Sequence, residues 1–174
     1  MCSSDLVYAG GARTAWLMAL LDINSRWMGG WSVAPQRHRG MALDALSHLR
    51  RRVRKYDRDL TGVVIHHDRD PVYTSHAWLR QVLLGDRGRL SYAQRGARDN
   101  PQIESFWGRF KTENASLLWE AETLDEVVEI AGRQMVYYNR ERRHSALHYQ
   151  PPEEFLGSCL VEGVSSATLA NISL

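Results

Sequence analysis

The chain has 174 residues, 44% of them apolar and 24% charged, with a net charge of +2. That is the length and make-up of one ordinary globular domain. No apolar run approaches the roughly 18–20 residues that span a bilayer, and the longest, Trp16 to Leu21, is strand-sized. No basic segment followed by an apolar stretch opens the chain, so neither a secretory leader nor a membrane partner is expected and a cytoplasmic location follows by default. Cys2 and Cys159 lie far apart and outside any CxxC pair, which argues against a structural zinc site or a disulfide framework.

In chain order, Leu6–Ala9, Trp16–Ile23 and Trp27–Val33 read as three short strands, with Gly10-Gly11 and Asn24-Ser25 as the turns between them. The short connections predict an antiparallel meander. From Gly40 to about Lys55 the period changes. Ala42, Leu43, Leu46, Leu49 and Val53 fall at helical spacing, so an amphipathic helix with a basic outer face is expected. Val63-Val64-Ile65 reads as a buried parallel strand. Ser75 is placed to cap a helix whose inner face carries Ala77, Trp78, Val82 and Leu83. Leu90-Ser91-Tyr92 is a final short strand. Asn100-Pro101 combines a capping residue with Pro at the first helical position, and predicts a helix to about Ala115. A last helix is expected over Leu124 to Arg143. Pro151-Pro152 is read as the end of regular structure. The expected division is therefore a core over 1–156 and a loose tail over 157–174. A meander followed by β-α-β units is a mixed-sheet α/β arrangement.

The charge is unevenly distributed by type. Of 22 basic residues, 20 are Arg, and only Lys55 and Lys111 are Lys. Arg binds phosphate through two parallel donors and stays charged. Arg50, Arg51, Arg52, Arg54 and Lys55 form one cluster, and Arg140, Arg142 and Arg143 with His144 another. Such clusters fit a nucleic-acid binder, and equally a solvated helix face. Asp68 directly follows the strand ending at His67, where ligand and metal sites of open α/β sheets lie. Glu104 sits in the first turns of the helix opened by Pro101, and Asp5 at or before the first strand. Periodicity alone favours reading these three as surface or cap acids, since most carboxylates are solvated. Brought together they would repel, and a hard divalent cation such as Mg²⁺ or Mn²⁺ would relieve the repulsion.

Between Asp68 and Glu104 lie 35 residues. Ile65-His66-His67-Asp68-Arg69, Tyr73-Thr74-Ser75, Asp99-Asn100-Pro101-Gln102-Ile103-Glu104-Ser105-Phe106-Trp107 and Tyr137-Tyr138-Asn139 through Leu147 to Pro151 occur in order. In these motifs the chain resembles the integrase-like transposases of bacterial insertion sequences, which share the retroviral integrase core. The resemblance runs from about residue 5 to 156. It implies a ribonuclease-H-like fold, a mixed five-stranded sheet flanked by helices, and a chain whose N-terminal region is truncated. It also implies DNA cleavage by water followed by strand transfer from the freed 3′-hydroxyl. Carried over by position, Asp68 is the second catalytic Asp, Glu104 the catalytic Glu and Asp5 the best match to the first Asp. These three would be the ligands of two Mg²⁺ or Mn²⁺ ions. Val7 departs from the family's Thr, and Asp22, in a structural position at a strand end, is the fallback acid. Lys111, on the Glu104 face, is expected to hold a DNA phosphate, with Arg50, Arg51, Arg52, Arg140, Arg142 and Arg143 as further DNA contacts. The implied partners are insertion-sequence ends and target DNA, bound by a homo-oligomer at the nucleoid. The competing expectation is a truncated, inactive DNA-binding remnant, which a misplaced Asp5 would favour. His66-His67 are expected to orient or pack, and Asp70 to hold a turn.

Overall fold

The computed structural model describes residues 2–9, 13–94 and 101–161. Strands β1 (Cys2–Ala9), β2 (Arg13–Leu21) and β3 (Met28–Ala34) form an antiparallel meander in the order β1-β2-β3. Strand β2 explains its own apolar run. Leu17, Ala19 and Leu21 enter one core, while Met18 and Leu20 enter the other. Alternate side chains point to opposite faces of a sheet, so a strand covered on both sides must be apolar throughout.

The face of Met18 and Leu20 is covered by helix α1 (Arg39–Val53). It packs so closely on β3 that a Cβ on Gly30 would meet the Ala45 carbonyl oxygen at 2.3 Å, so only Gly fits there. Strand β4 (Val64–His67) runs parallel to β5 (Arg89–Tyr92). Between them stands helix α2 (His76–Arg80), which Ser75 caps by accepting from the Trp78 amide and which runs on as a wider π turn, Gln81–Gly85. The other face is covered by α3 (Pro101–Glu113), α4 (Ala115–Glu120) and α5 (Leu124–Arg140). Phe106, Trp107, Phe110 and Tyr138 form its aromatic centre.

The five expected strands are present, but their ladders divide. The three-stranded and two-stranded pieces are separate among the described residues, with β1 running close beside β4. Strand β4 has only four residues, and all four pair with β5. Two helices escaped the periodicity. Helix α4 is six residues long, too short to show a period. Pro152 opens α6 (Pro152–Val161) where an end of structure was expected. Pro at a first helical position loses no hydrogen bond, because that N–H has no partner in any helix. The boundary placed after residue 156 therefore falls inside a helix, and the rest of the expected tail, 162–174, lies outside the described residues. No helix among the described residues is long and apolar enough to cross a membrane.

Candidate active site

Three elements deliver the acids. Asp5 lies in the middle of β1, opposite Leu17. Asp68 is the first residue after β4, which runs beside β1. Glu104 is in the first turn of α3, which packs on β1. The Glu104 carboxyl is held above its ordinary pKa by partial burial first and by the Asp5 charge next; Asp68 adds to this, and Lys111 opposes it. The three carboxylates thus sit within one another's fields, although they belong to a strand, a loop and a helix.

Asp5 and Asp68 are anchored. Asp5 Oδ1 accepts from the Leu6 amide at 2.8 Å, and its Oδ2 receives the Lys111 ammonium at 2.7 Å. Lys111 lies two helical turns after Glu104 on the same face, which is why one helix supplies both the acid and the cation. Asp68 Oδ1 accepts from the Asp70 amide at 3.0 Å. Asp70 holds the turn as expected, accepting from the Val72 amide and pairing with Arg37. Asp22 is also structural. It closes the β2–β3 turn by accepting from the amide and hydroxyl of Ser25, so it is committed away from the acids.

His67 is fully buried and supports Asp68 from behind. The Trp78 indole can only donate, and it points at His67 Nε2 at 3.2 Å. The ring proton is therefore on Nδ1, which donates to the Asp68 carbonyl at 2.7 Å. Burial lowers the His67 pKa, and Tyr73 stacks on the ring. This is a packing and orienting histidine. His66 bonds Ser91 Oγ across the β4–β5 pair.

Among the described residues no three His, Cys, Asp or Glu side chains form a ready-made metal cage. The donor set nevertheless fits a hard divalent cation. All three groups are carboxylates, and they already draw in one cation, Lys111.

The expected DNA-contacting residues occupy different settings. Arg51 is exposed and bonds Ser47 within its own helix. Arg50 lies 3.5 Å from Asp86. Arg52 turns inward, donating to the Met28 carbonyl at 2.6 Å with its guanidinium 4.4 Å from the Trp27 ring centre. Arg140 pairs with Glu153 at 2.8 Å, and Arg142 with Glu113 at 2.7 Å. Arg143 is exposed. Two residues stand out that the charge pattern did not single out. Asn139, inside the Tyr137-Tyr138-Asn139 motif, is buried and clamps β3, its side chain accepting from the Met28 amide at 2.8 Å and donating to the Met28 carbonyl at 3.0 Å. Arg26 occupies a left-handed backbone position (φ 59°) in the β2–β3 turn.

Helices on both faces of a strand meander beside a parallel pair, with Asp5 on β1, Asp68 after β4 and Glu104 on α3, give a ribonuclease-H-like fold similar to the catalytic cores of retroviral integrases. Its fold matches the magnesium-bound catalytic core of HTLV-2 integrase with a TM-score of 0.63 at 13% identity, over 88% of this chain and 93% of that one. Residues 88–152 match the integrase core domain family. The chain is 28% identical over 149 residues to the transposase for insertion sequence element IS904 of Lactococcus lactis subsp. lactis (strain IL1403), covering 82% of this chain and 54% of that protein. It is 32% identical over 144 residues to transposase InsF for insertion sequence IS3fB of Escherichia coli (strain K12), covering 80% and 47%. The chain is thus similar in sequence to these insertion-sequence transposases, and it spans about half the length of the relatives it matches.

Proposed function

We propose that this chain is the catalytic core of a DNA transposase, which cuts DNA strands and joins the freed 3′ ends to new sites. Asp5, Asp68 and Glu104 would hold the metal. The single observation that carries the reading is that α3 and β4 both pack on β1 and so bring Glu104 and Asp68 into the field of Asp5, in a fold similar to integrase cores. The metal reading draws support from the magnesium named with the HTLV-2 core. One or two Mg²⁺ or Mn²⁺ ions held there would supply activation of the attacking oxygen and stabilisation of the leaving one.

The chain's own residues do the rest. His67 and the Asp70 amide hold Asp68 in place, and the Leu6 amide orients Asp5. Lys111 neutralises Asp5 and is positioned to exchange that carboxylate for a DNA phosphate. Arg50, Arg51 and Arg143 are the basic residues best placed to steer DNA, and transposition by a homo-oligomer in the bacterial cytoplasm fits the insertion-sequence relatives. The reading as an inactive remnant is not favoured, because it called for a misplaced Asp5, and Asp5 lies mid-strand with Lys111 at 2.7 Å.

The test is cleavage of duplex DNA carrying the element's ends, with Mn²⁺. The unmodified chain is expected to nick the DNA, and Asp68→Asn and Glu104→Gln to bind it without nicking. Failure of the unmodified chain to cut with any divalent metal would sink the proposal.

A further inference from the structure

The strongest unassigned feature is a cavity of about 530 Å³ beside the start of α3. Its walls carry Arg26 from the β2–β3 turn, Arg109 from α3, and Arg142, Arg143 and His144 from the segment after α5. Four guanidinium groups from three separate elements therefore face one space. Only Arg142 has a carboxylate partner, Glu113, among the described residues. Two polar nitrogens are stranded: Arg26 Nη1, a donor, and His144 Nε2 are buried and have no hydrogen-bond partner among the described residues. A buried polar atom left unpaired costs about 1–3 kcal/mol, more when charged, and gathered like charges add repulsion. The neighbours register the same field. The His144 pKa is lowered by burial and then by Arg142, Arg26 and Arg109, and those arginines oppose the burial that raises Tyr138 to about 12.

A second basic hollow provides a contrast. Arg50, Arg54 and Arg87 line a cavity of about 250 Å³, but Asp59 and Asp86 line it too. That hollow supplies its own counter-charge, whereas no acidic side chain among the described residues lines the Arg26 cavity. An anion with several acceptor oxygens would satisfy Arg26 Nη1 together with the guanidinium donors beside it, and planar guanidinium forks suit phosphate oxygens.

We propose that this cavity is a phosphate-binding site that grips one backbone phosphate of bound DNA. It lies on a different face of α3 from the acids. Pro101, Ser105 and Arg109 form an i, i+4, i+8 stripe along the cavity, while Glu104 and Lys111 lie roughly a quarter-turn round the helix. DNA gripped there would be held against the helix that carries the catalytic Glu, without using any metal ligand. The identity of the ligand rests on the reading of the chain as a DNA-processing enzyme; the anion site itself does not depend on catalysis.

The test uses the full chain in EDTA, so that no metal bridges protein and DNA. Binding of a fluorescein-labelled duplex is followed by anisotropy against salt, for the unmodified chain, Arg109→Gln, Arg143→Gln, the double variant and Asp68→Asn. Both arginines are exposed, so the fold should persist, and circular dichroism checks it. The double variant is expected to bind about tenfold more weakly, with a salt slope flatter by about one unit, the signature of one lost phosphate. Asp68→Asn, which removes a negative charge from the acidic centre, should bind no more weakly than the unmodified chain and should not flatten the slope. Unchanged affinity and slope overturn the proposal. A slope change of about two units also overturns it, because it means two independent backbone contacts rather than one pocket. Inorganic phosphate should raise the melting temperature of the unmodified chain and not that of the double variant. If it does so while DNA affinity is unchanged, the site takes free anions and the DNA assignment is wrong. A chain that binds through the cavity but never cuts leaves this site standing and removes only the nuclease reading.

Discussion

The Lys111 ammonium lies 2.7 Å from Asp5 Oδ2, so the acidic centre carries its own cation, delivered by the same helix face as Glu104. A metal ion and Lys111 would compete for one carboxylate oxygen. Lys111→Met should therefore tighten Mn²⁺ binding several-fold by calorimetry. The metal-free fold should lose no more than about 1 kcal/mol, since a half-exposed ion pair contributes little. Weaker metal binding in the variant would show that Lys111 assists the metal instead of replacing it.

Glu104 illustrates a site that stores repulsion. Its folded pKa is raised above 4.5. Its contribution to stability is therefore complete below that value and is lost as pH rises through the higher folded pKa, where the charge must be carried near Asp5 and Asp68. Glu104→Gln removes that loss. Urea melts at about pH 7 should show the variant more stable than the unmodified chain, with the gap closing at about pH 4. A variant less stable at neutral pH would mean that the carboxylate is not strained.

Asn139 and Met28 are 111 residues apart yet bond as a matched pair, amide to carbonyl in both directions. Asn139→Ala would leave the buried Met28 amide without its acceptor, at a cost of about 2–3 kcal/mol. Asn139→Asp keeps the acceptor and should lose less near neutral pH. Equal losses in thermal melts would place the value of Asn139 in packing alone.

Neighbouring arginines in α1 should behave oppositely. Arg52 bonds the Met28 carbonyl and stacks on Trp27, so Arg52→Ala should destabilise by about 2 kcal/mol. Arg51→Ala touches only its own exposed helix surface and should stay within about 0.5 kcal/mol. DNA salt slopes should respond in reverse order, with Arg51 mattering and Arg52 not.

His48 gives the fold an acid sensitivity. Its ring donates from Nδ1 to the Trp31 carbonyl at 3.2 Å. Its pKa is lowered by burial, and Arg52, Arg51 and Lys55 lower it further while the Trp31 bond opposes them. The folded state keeps the ring neutral, whereas the unfolded chain protonates near the ordinary 6.5. Stability should therefore be full above about pH 6.5 and fall as pH drops below it. His48→Gln should flatten that fall, measured by urea midpoints across the range.

Much of the architecture was legible because it is written locally. A run buried on both faces must be apolar, so β2 announced itself. Ser75 and Pro101 announced the helices they open, and the period of α1 and α5 needs only one helix face to be buried. The 35-residue interval singled out Asp68 and Glu104 as a pair because spacing is a linear property of the chain, and the fold places both within the field of Asp5. Other features were not local. Arg52 and Arg51 are adjacent in the sequence, yet one faces the core and the other solvent, and charge pattern cannot separate them. Whether Arg142 meets DNA or Glu113 depends on how the segment after α5 lies beside α3, and the placement of Lys111 against Asp5 depends on α3 packing on β1. The cavity of Arg26, Arg109 and Arg143 joins residues more than a hundred positions apart, none of them distinctive alone. Side-chain fields and unpaired buried donors exist only between elements, so it took the packing of α3 and α5 on the sheet to create them.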